Sequence, residues 1–182
     1  MRKHIALLLF VIIFSLPYHC ANGREADFNL EETIEAAKKG DADAQYHLGF
    51  HYMNNAESPA DFKEAAQWFT KAAEQGNVEA QYNLGFMYHR GIGVRRNHTE
   101  KVRWFLQAAE QGYVPAQSMM GLLYYSGKGI AKDYVQSYMW LSIAASAGDK
   151  TNQGTMDQLS QEMPPAQLEE ARKLAGEWKP KK

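Results

Sequence analysis

Between Val78 and His89 the core-facing positions are Ala80, Leu84, Met87 and Tyr88. Their i, i+4, i+7, i+8 spacing predicts a helix that buries one stripe. Gly85 lies on that face, where the missing side chain lets a partner helix approach closely. Gly91-Ile92-Gly93 then interrupts the pattern as a turn. Asn97 with Glu100 three residues later is a capping-box start for a second helix. That helix runs to about Gln111 and buries Trp104, Phe105, Ala108 and Ala109. Gly112 ends it, where a left-handed residue closes a helix.

The same pattern recurs every 36 residues. Trp68, Trp104 and Trp140 keep that interval, as do Gly40, Gly76, Gly112 and Gly148, and Gly49, Gly85 and Gly121. Ala44-Gln45, Ala80-Gln81 and Ala116-Gln117 align without a gap, and Asp61 with Glu64 and Asp133 with Gln136 repeat the helix-start signal. A fixed period of this length predicts an all-α fold, an α/α solenoid (superhelix) of helix-turn-helix repeats. Three full units are expected: 41–76, 77–112 and 113–148. Residues 24–40 form an N-terminal capping helix, matching only a second helix from Asp27 to Lys39, with Glu32 in place of the tryptophan. Residues 149–182 are C-terminal capping helices and tail, because Asn152, Gly154 and Pro164-Pro165 break the register. Closing helices are expected over 155–163 and 165–178, the second carrying Leu168, Ala171, Leu174 and Trp178.

The string Ala80-Gln81-Tyr82-Asn83-Leu84-Gly85-Phe86-Met87-Tyr88, then Gly91-Ile92-Gly93-Val94, Trp104-Phe105 and Ala108-Ala109-Glu110-Gln111-Gly112 resembles the Sel-1-like repeat (SLR) family. That family is related to the tetratricopeptide repeat and has a slightly longer unit. The resemblance covers 41–148, and the tail from Met163 to Trp178 is similar to the closing segment of bacterial SLR proteins. It implies adaptors in secretion, envelope signalling and host contact. In the first unit Asn54 to Pro59 replaces the Gly-x-Gly turn, so that interhelical loop should differ. The repeats also lack the paired cysteines of the family's disulfide-bonded branch, so that branch's β-lactam chemistry does not carry over.

The first 23 residues read separately, as a secretory signal peptide. Arg2-Lys3-His4 gives a positive start, and Ile5 to Leu16 is an apolar run too short to anchor in a bilayer. Ala21-Asn22-Gly23 is a small-x-small cleavage site. Cys20 suggests lipidation, but Tyr18 and His19 before it are not the small residues such a site needs. Cleavage there leaves 18 basic and 21 acidic residues and no cysteine. The mature chain is then expected to be exported, periplasmic or secreted, with no stable membrane insertion and no disulfide. Its mildly acidic balance does not ask for nucleic acid.

Away from the core stripe, the first helices carry Tyr46, Phe50 and Met53 in unit one, Tyr82, Phe86 and His89 in unit two, and Ser118, Leu122 and Tyr125 in unit three. In tetratricopeptide folds these helices line the concave groove. Contiguous apolar and aromatic residues there mark an interaction site, or else the seam where adjacent first helices pack. Around the second turn, Arg90, Arg95, Arg96, Lys101 and Arg103 cluster with His89 and His98. Such a run is a solvated loop or steers an acidic partner. His47 and His51 stand four apart, a spacing two metal ligands can share, yet no third ligand sits at motif spacing. Asn97-His98-Thr99 matches a glycosylation sequon, but Asn97 already serves as a cap.

No Ser-x-x-Lys, Gly-x-Ser-x-Gly, His-Glu-x-x-His or phosphate-binding glycine loop is present. The expectation is a non-enzymatic adaptor, without cofactor or metal, that binds a protein or peptide along its concave helical surface. The binding residues would be Tyr46, Phe50, Met53, Tyr82, Phe86, His89, Leu122 and Tyr125. A periplasmic regulator docking on a membrane sensor or transporter is one alternative. A β-lactam or cell-wall hydrolase is the other.

Overall fold

A computed structural model describes residues 29–181, and among these the chain is helical without a strand. The leader expected over 1–23, its cleavage site and the first residues of the capping segment lie outside the described residues. Helix α1 spans Leu30–Lys39. Three hairpins follow: α2 (Ala42–Asn54) with α3 (Pro59–Glu74), α4 (Val78–Arg90) with α5 (His98–Glu110), and α6 (Val114–Ser126) with α7 (Tyr134–Ser146). Helices α8 (Gln153–Glu162) and α9 (Pro165–Glu177) close the chain. Each helix packs on its sequence neighbour from α1 to α7, and α9 returns to lie along α7. This is the solenoid that the 36-residue period predicts.

Close approach within each hairpin depends on a glycine. A Cβ built on Gly85 would stand 2.8 Å from Cδ1 of Phe105, and one on Gly49 would stand 2.8 Å from Cδ1 of Phe69. The fully buried alanines Ala72, Ala108 and Ala80 complete these tight seams, while Trp104 and Trp140 fill the wider gaps. Between repeats, a buried glutamine donates its Nε2 to a carbonyl on the preceding second helix. Gln45 reaches Ala37 at 3.0 Å, Gln81 reaches Ala73 at 3.1 Å, and Gln117 reaches Ala109 at 3.3 Å. Burial of these Nε2 groups is tolerated because each is hydrogen-bonded.

The helix ends follow their N-cap chemistry with two corrections, the first being that the reciprocal box at Asn97 stays half made because the Glu100 carboxylate accepts from Arg103 instead. Asn97 Oδ1 accepts from the amides of Thr99 and Glu100, and Asp133 Oδ1 accepts from Gln136. After α5, Gly112 adopts φ +94° and the amide of Tyr113 donates back to the Ala108 carbonyl at 3.0 Å. Asp61 does not cap α3, contrary to its pairing with Glu64 in the sequence. Pro59 suits the first helical position, so Ser58 becomes the cap and Asp61 falls inside the first turn. Its carboxylate reaches back to the Ser58 hydroxyl at 2.9 Å and to the amides of Ser58 and Glu57. These bonds, the hydroxyl first, hold its pKa below the ordinary carboxylate value. The first interhelical connection differs from the others, as expected from Asn54 to Pro59: it is short, whereas 91–97 and 127–133 form longer glycine turns.

Candidate partner-binding surface

Half-burial characterises most of the aromatic row. Tyr46 lies on α2 with its ring 5.9 Å from Phe69 of α3 and 6.1 Å from Phe50. One period later, Tyr82 on α4 sits between Phe105 at 5.5 Å and Tyr113 at 5.3 Å. Tyr113 begins the next repeat, so this part of the row packs across the seam between units. Burial raises both phenol pKa values, with Glu79 adding to the effect at Tyr46. In the third unit Ser118 occupies the column, where its hydroxyl donates to Asp149 at 2.5 Å. Burial opposes ionisation of Asp149, but the bonds from Ser118 and Thr151 outweigh it and lower its pKa.

The next column is more open. Phe50 is 41% exposed, and with Leu30 it is one of the two exposed large hydrophobic residues among those described. Phe86 and Leu122 follow at the same register and are half-buried. The Arg90 guanidinium lies 5.5 Å above the Phe86 ring, and the His89 ring is 6.5 Å from it. Met53 is half-buried against the core of the first hairpin. Tyr125 stacks on Tyr134 at 5.8 Å, with Lys132 Nζ 4.4 Å from the Tyr134 ring. The expected row is therefore two columns, one braced against the second helices and, at Tyr82, the next repeat, and one reaching solvent at Phe50.

The basic cluster is not one solvated run. Arg90, Arg95, Arg96 and His98 are exposed, but Lys101 is only 1% exposed. Its Nζ donates to the Lys128 carbonyl at 2.6 Å, tying α5 to the turn of the third repeat. Burial, then the charges of Arg96 and Lys128, pull its pKa down. His89 Nδ1 is buried without a hydrogen-bond partner. Its pKa is lowered by burial first, then by Lys101, Arg90, Arg96 and His98.

His47 is exposed and His51 half-buried, with Asn55 Nδ2 3.3 Å from His51 Nδ1. Among the described residues no group of three or more His, Cys, Asp or Glu side chains is arranged to hold a metal ion. The carboxylates of the cluster are engaged locally: Glu100 binds Arg103 at 2.6 Å and Glu110 binds Lys181 at 2.7 Å. Sequence reasoning did not anticipate that last contact, nor the packing of Trp178 edge-on to Trp140 at 6.0 Å. Together they lay the chain end over α5 and α7.

The Sel1 repeat model matches residues 42–77, 78–113 and 114–149. Over 82% of its length the chain is similar to a protective antigen of uropathogenic Escherichia coli strains that displays an SLR fold, with 33% identity and a TM-score of 0.75. It spans 32% of that protein. A Sel1 repeat protein from Oxalobacter formigenes is 34% identical over 68% of this chain and 94% of its own, with a TM-score of 0.61. No protein of curated function matches.

Proposed function

The chain belongs to the Sel1 repeat family, and from that premise we propose that it is an exported, non-enzymatic adaptor holding a protein or peptide on its first-helix face. Sel1 repeat proteins generally act as protein-interaction adaptors, and the fold is typically a non-catalytic scaffold. The observation that carries the reading is the exposed ring of Phe50, continued along the solenoid by Phe86 and Leu122. Large apolar side chains left at a solvated face are natural anchors for a partner. Tyr46, Tyr82, Met53, His89 and Tyr125 flank them. Tyr46 and Tyr82 are braced by Phe69 and Phe105, so the face is presented rigidly and little ordering entropy opposes binding.

Export rests on the basic start and short apolar run of residues 2–16. Among the described residues no helix is long and apolar enough to cross a membrane. The periplasm or the medium is the proposed destination.

Crosslinking pull-down from envelope and secreted fractions tests the adaptor role. A partner captured by wild type should be lost when Phe50→Ala and Phe86→Ala are combined in a chain of unchanged helicity. Equal capture by both chains would remove this face from the function.

A further inference from the structure

The exposed cations of the second and third interhelical turns form a separate feature. Residues 89–133 hold seven Lys and Arg against three Asp and Glu, whereas residues 29–88 hold four against ten. The three acids of the basic stretch are already engaged: Glu100 with Arg103, Glu110 with Lys181, and Asp133 as the cap of α7. Among the described residues Arg90, Arg95, Arg96, Lys128 and Lys132 form no ion pair. Of these, Lys132 is favoured by a hydrogen bond with Tyr134 and by the charge of Glu162, so the positive charge without an ion-pair partner rests on Arg90, Arg95, Arg96 and Lys128.

The backbone beneath it is fixed. A Cβ on Gly129 would lie 2.9 Å from Cβ of His98 and 3.2 Å from Lys101 Nζ, so the third turn sits directly on the start of α5. Lys101 then clamps the Lys128 carbonyl. The aligned positions in the other repeats are Ala65 and Ser137, both fully buried, so packing alone does not call for a lysine here. A buried ammonium held by one carbonyl is costly, because a single neutral acceptor only partly replaces its lost hydration. Here it joins the two basic turns into one rigid edge. The lowered pKa values of Lys101 and His89 agree, since after burial each is depressed by these surrounding cations.

We propose that this edge binds an acidic polypeptide segment through Arg90, Arg95, Arg96, His98 and Lys128, extending the apolar face used in the adaptor reading on which it rests. Arg90 over Phe86 makes the two surfaces contiguous. A partner therefore offers apolar anchors to the face and carboxylates to the edge. The acidic first repeat beside it repels a long uniform polyanion but tolerates a short acidic segment.

Fluorescence anisotropy with labelled octaglutamate and the full chain tests the proposal. Binding should weaken as salt rises from about 50 to about 200 mM. Arg95→Glu with Arg96→Glu should lower affinity by about tenfold or more, and Lys128→Glu, which leaves its carbonyl in place, should act in the same direction. Equal binding by the reversed variants overturns the proposal, as does tighter binding of an octathymidylate than of octaglutamate. Pull-down separates the two readings. A partner lost with Phe50→Ala, Phe86→Ala but kept with Arg95→Glu, Arg96→Glu preserves the adaptor face and sinks the acidic-segment edge. Octaglutamate binding that needs Arg95 and Arg96, with capture unaffected by the Phe50, Phe86 variant, supports the edge and defeats the face.

Discussion

Gln111 donates its Nε2 to Oε1 of Gln81 at 2.8 Å, and one period earlier Gln75 donates to Gln45 at 2.7 Å. Each acceptor uses its own Nε2 on the preceding repeat, so both ends of the buried amide are satisfied and three successive helices are linked. The ladder fails in the third repeat. Gln117 keeps its bond to Ala109, but position 147 is alanine, and Gln117 Oε1 is buried without a partner. Ala147→Gln should restore the missing donor and add about 0.5–1.5 kcal/mol to stability. Gln111→Ala should cost about 1–3 kcal/mol by orphaning Gln81 Oε1. Urea unfolding of both variants decides it: a shift of the same sign in each would refute the ladder.

Gly85→Ala places a methyl group against Phe105, whose ring is fully buried and has no room to withdraw. The expected loss is about 1–3 kcal/mol, the range for overpacking. Gly93→Ala should be worse than Gly148→Ala, although both glycines have positive φ. The new Cβ at 93 collides with the Phe62 carbonyl, whereas nothing lies within 4 Å at 148. Melting temperatures in the opposite order would mean that the second turn does not rest on α3.

Much of this architecture was legible because the period repeats both ends of every hairpin. The glycine at 112 and the caps at 97 and 133 have one strong local solution each, so sequence and structure agree there. At 58–61 two good caps compete, and Pro59 decides between them by its fixed φ. Lys101 departs from the sequence expectation because a lysine is solvated by default. The signal against that default was present in its column, since Ala65 and Ser137 are small residues at core positions. The aromatic row was only half legible: periodicity places Tyr82 and Phe86 off the core stripe, but it cannot show that Tyr82 is wedged against Tyr113 while Phe50 remains open.

Trp178 fastens α9 to the solenoid through Trp140, and Lys181 adds a backbone bond to the Glu110 carbonyl at 2.7 Å. In a solenoid each unit is stabilised chiefly by its neighbours. Trp178→Ala should therefore speed amide exchange across 165–177 while leaving α2 and α3 protected as before. Uniform acceleration along the whole chain would show instead that the end helix is needed by every repeat.

His89 makes stability depend on pH. Burial and the surrounding cations disfavour its imidazolium in the folded chain, so its pKa lies below the ordinary value. As pH falls through about 6.5 the unfolded chain takes up this proton first. In that window the unfolded state holds more protons, so the contribution present at higher pH is lost on acidification. The melting temperature should fall between about pH 7.5 and about pH 5.5 for this reason. His89→Met, which copies the residue at position 53 in the first repeat, removes both the titration and the orphaned Nδ1. The variant should melt higher than wild type at the acidic end, with a shallower slope. An unchanged slope would mean that another group governs the acid sensitivity.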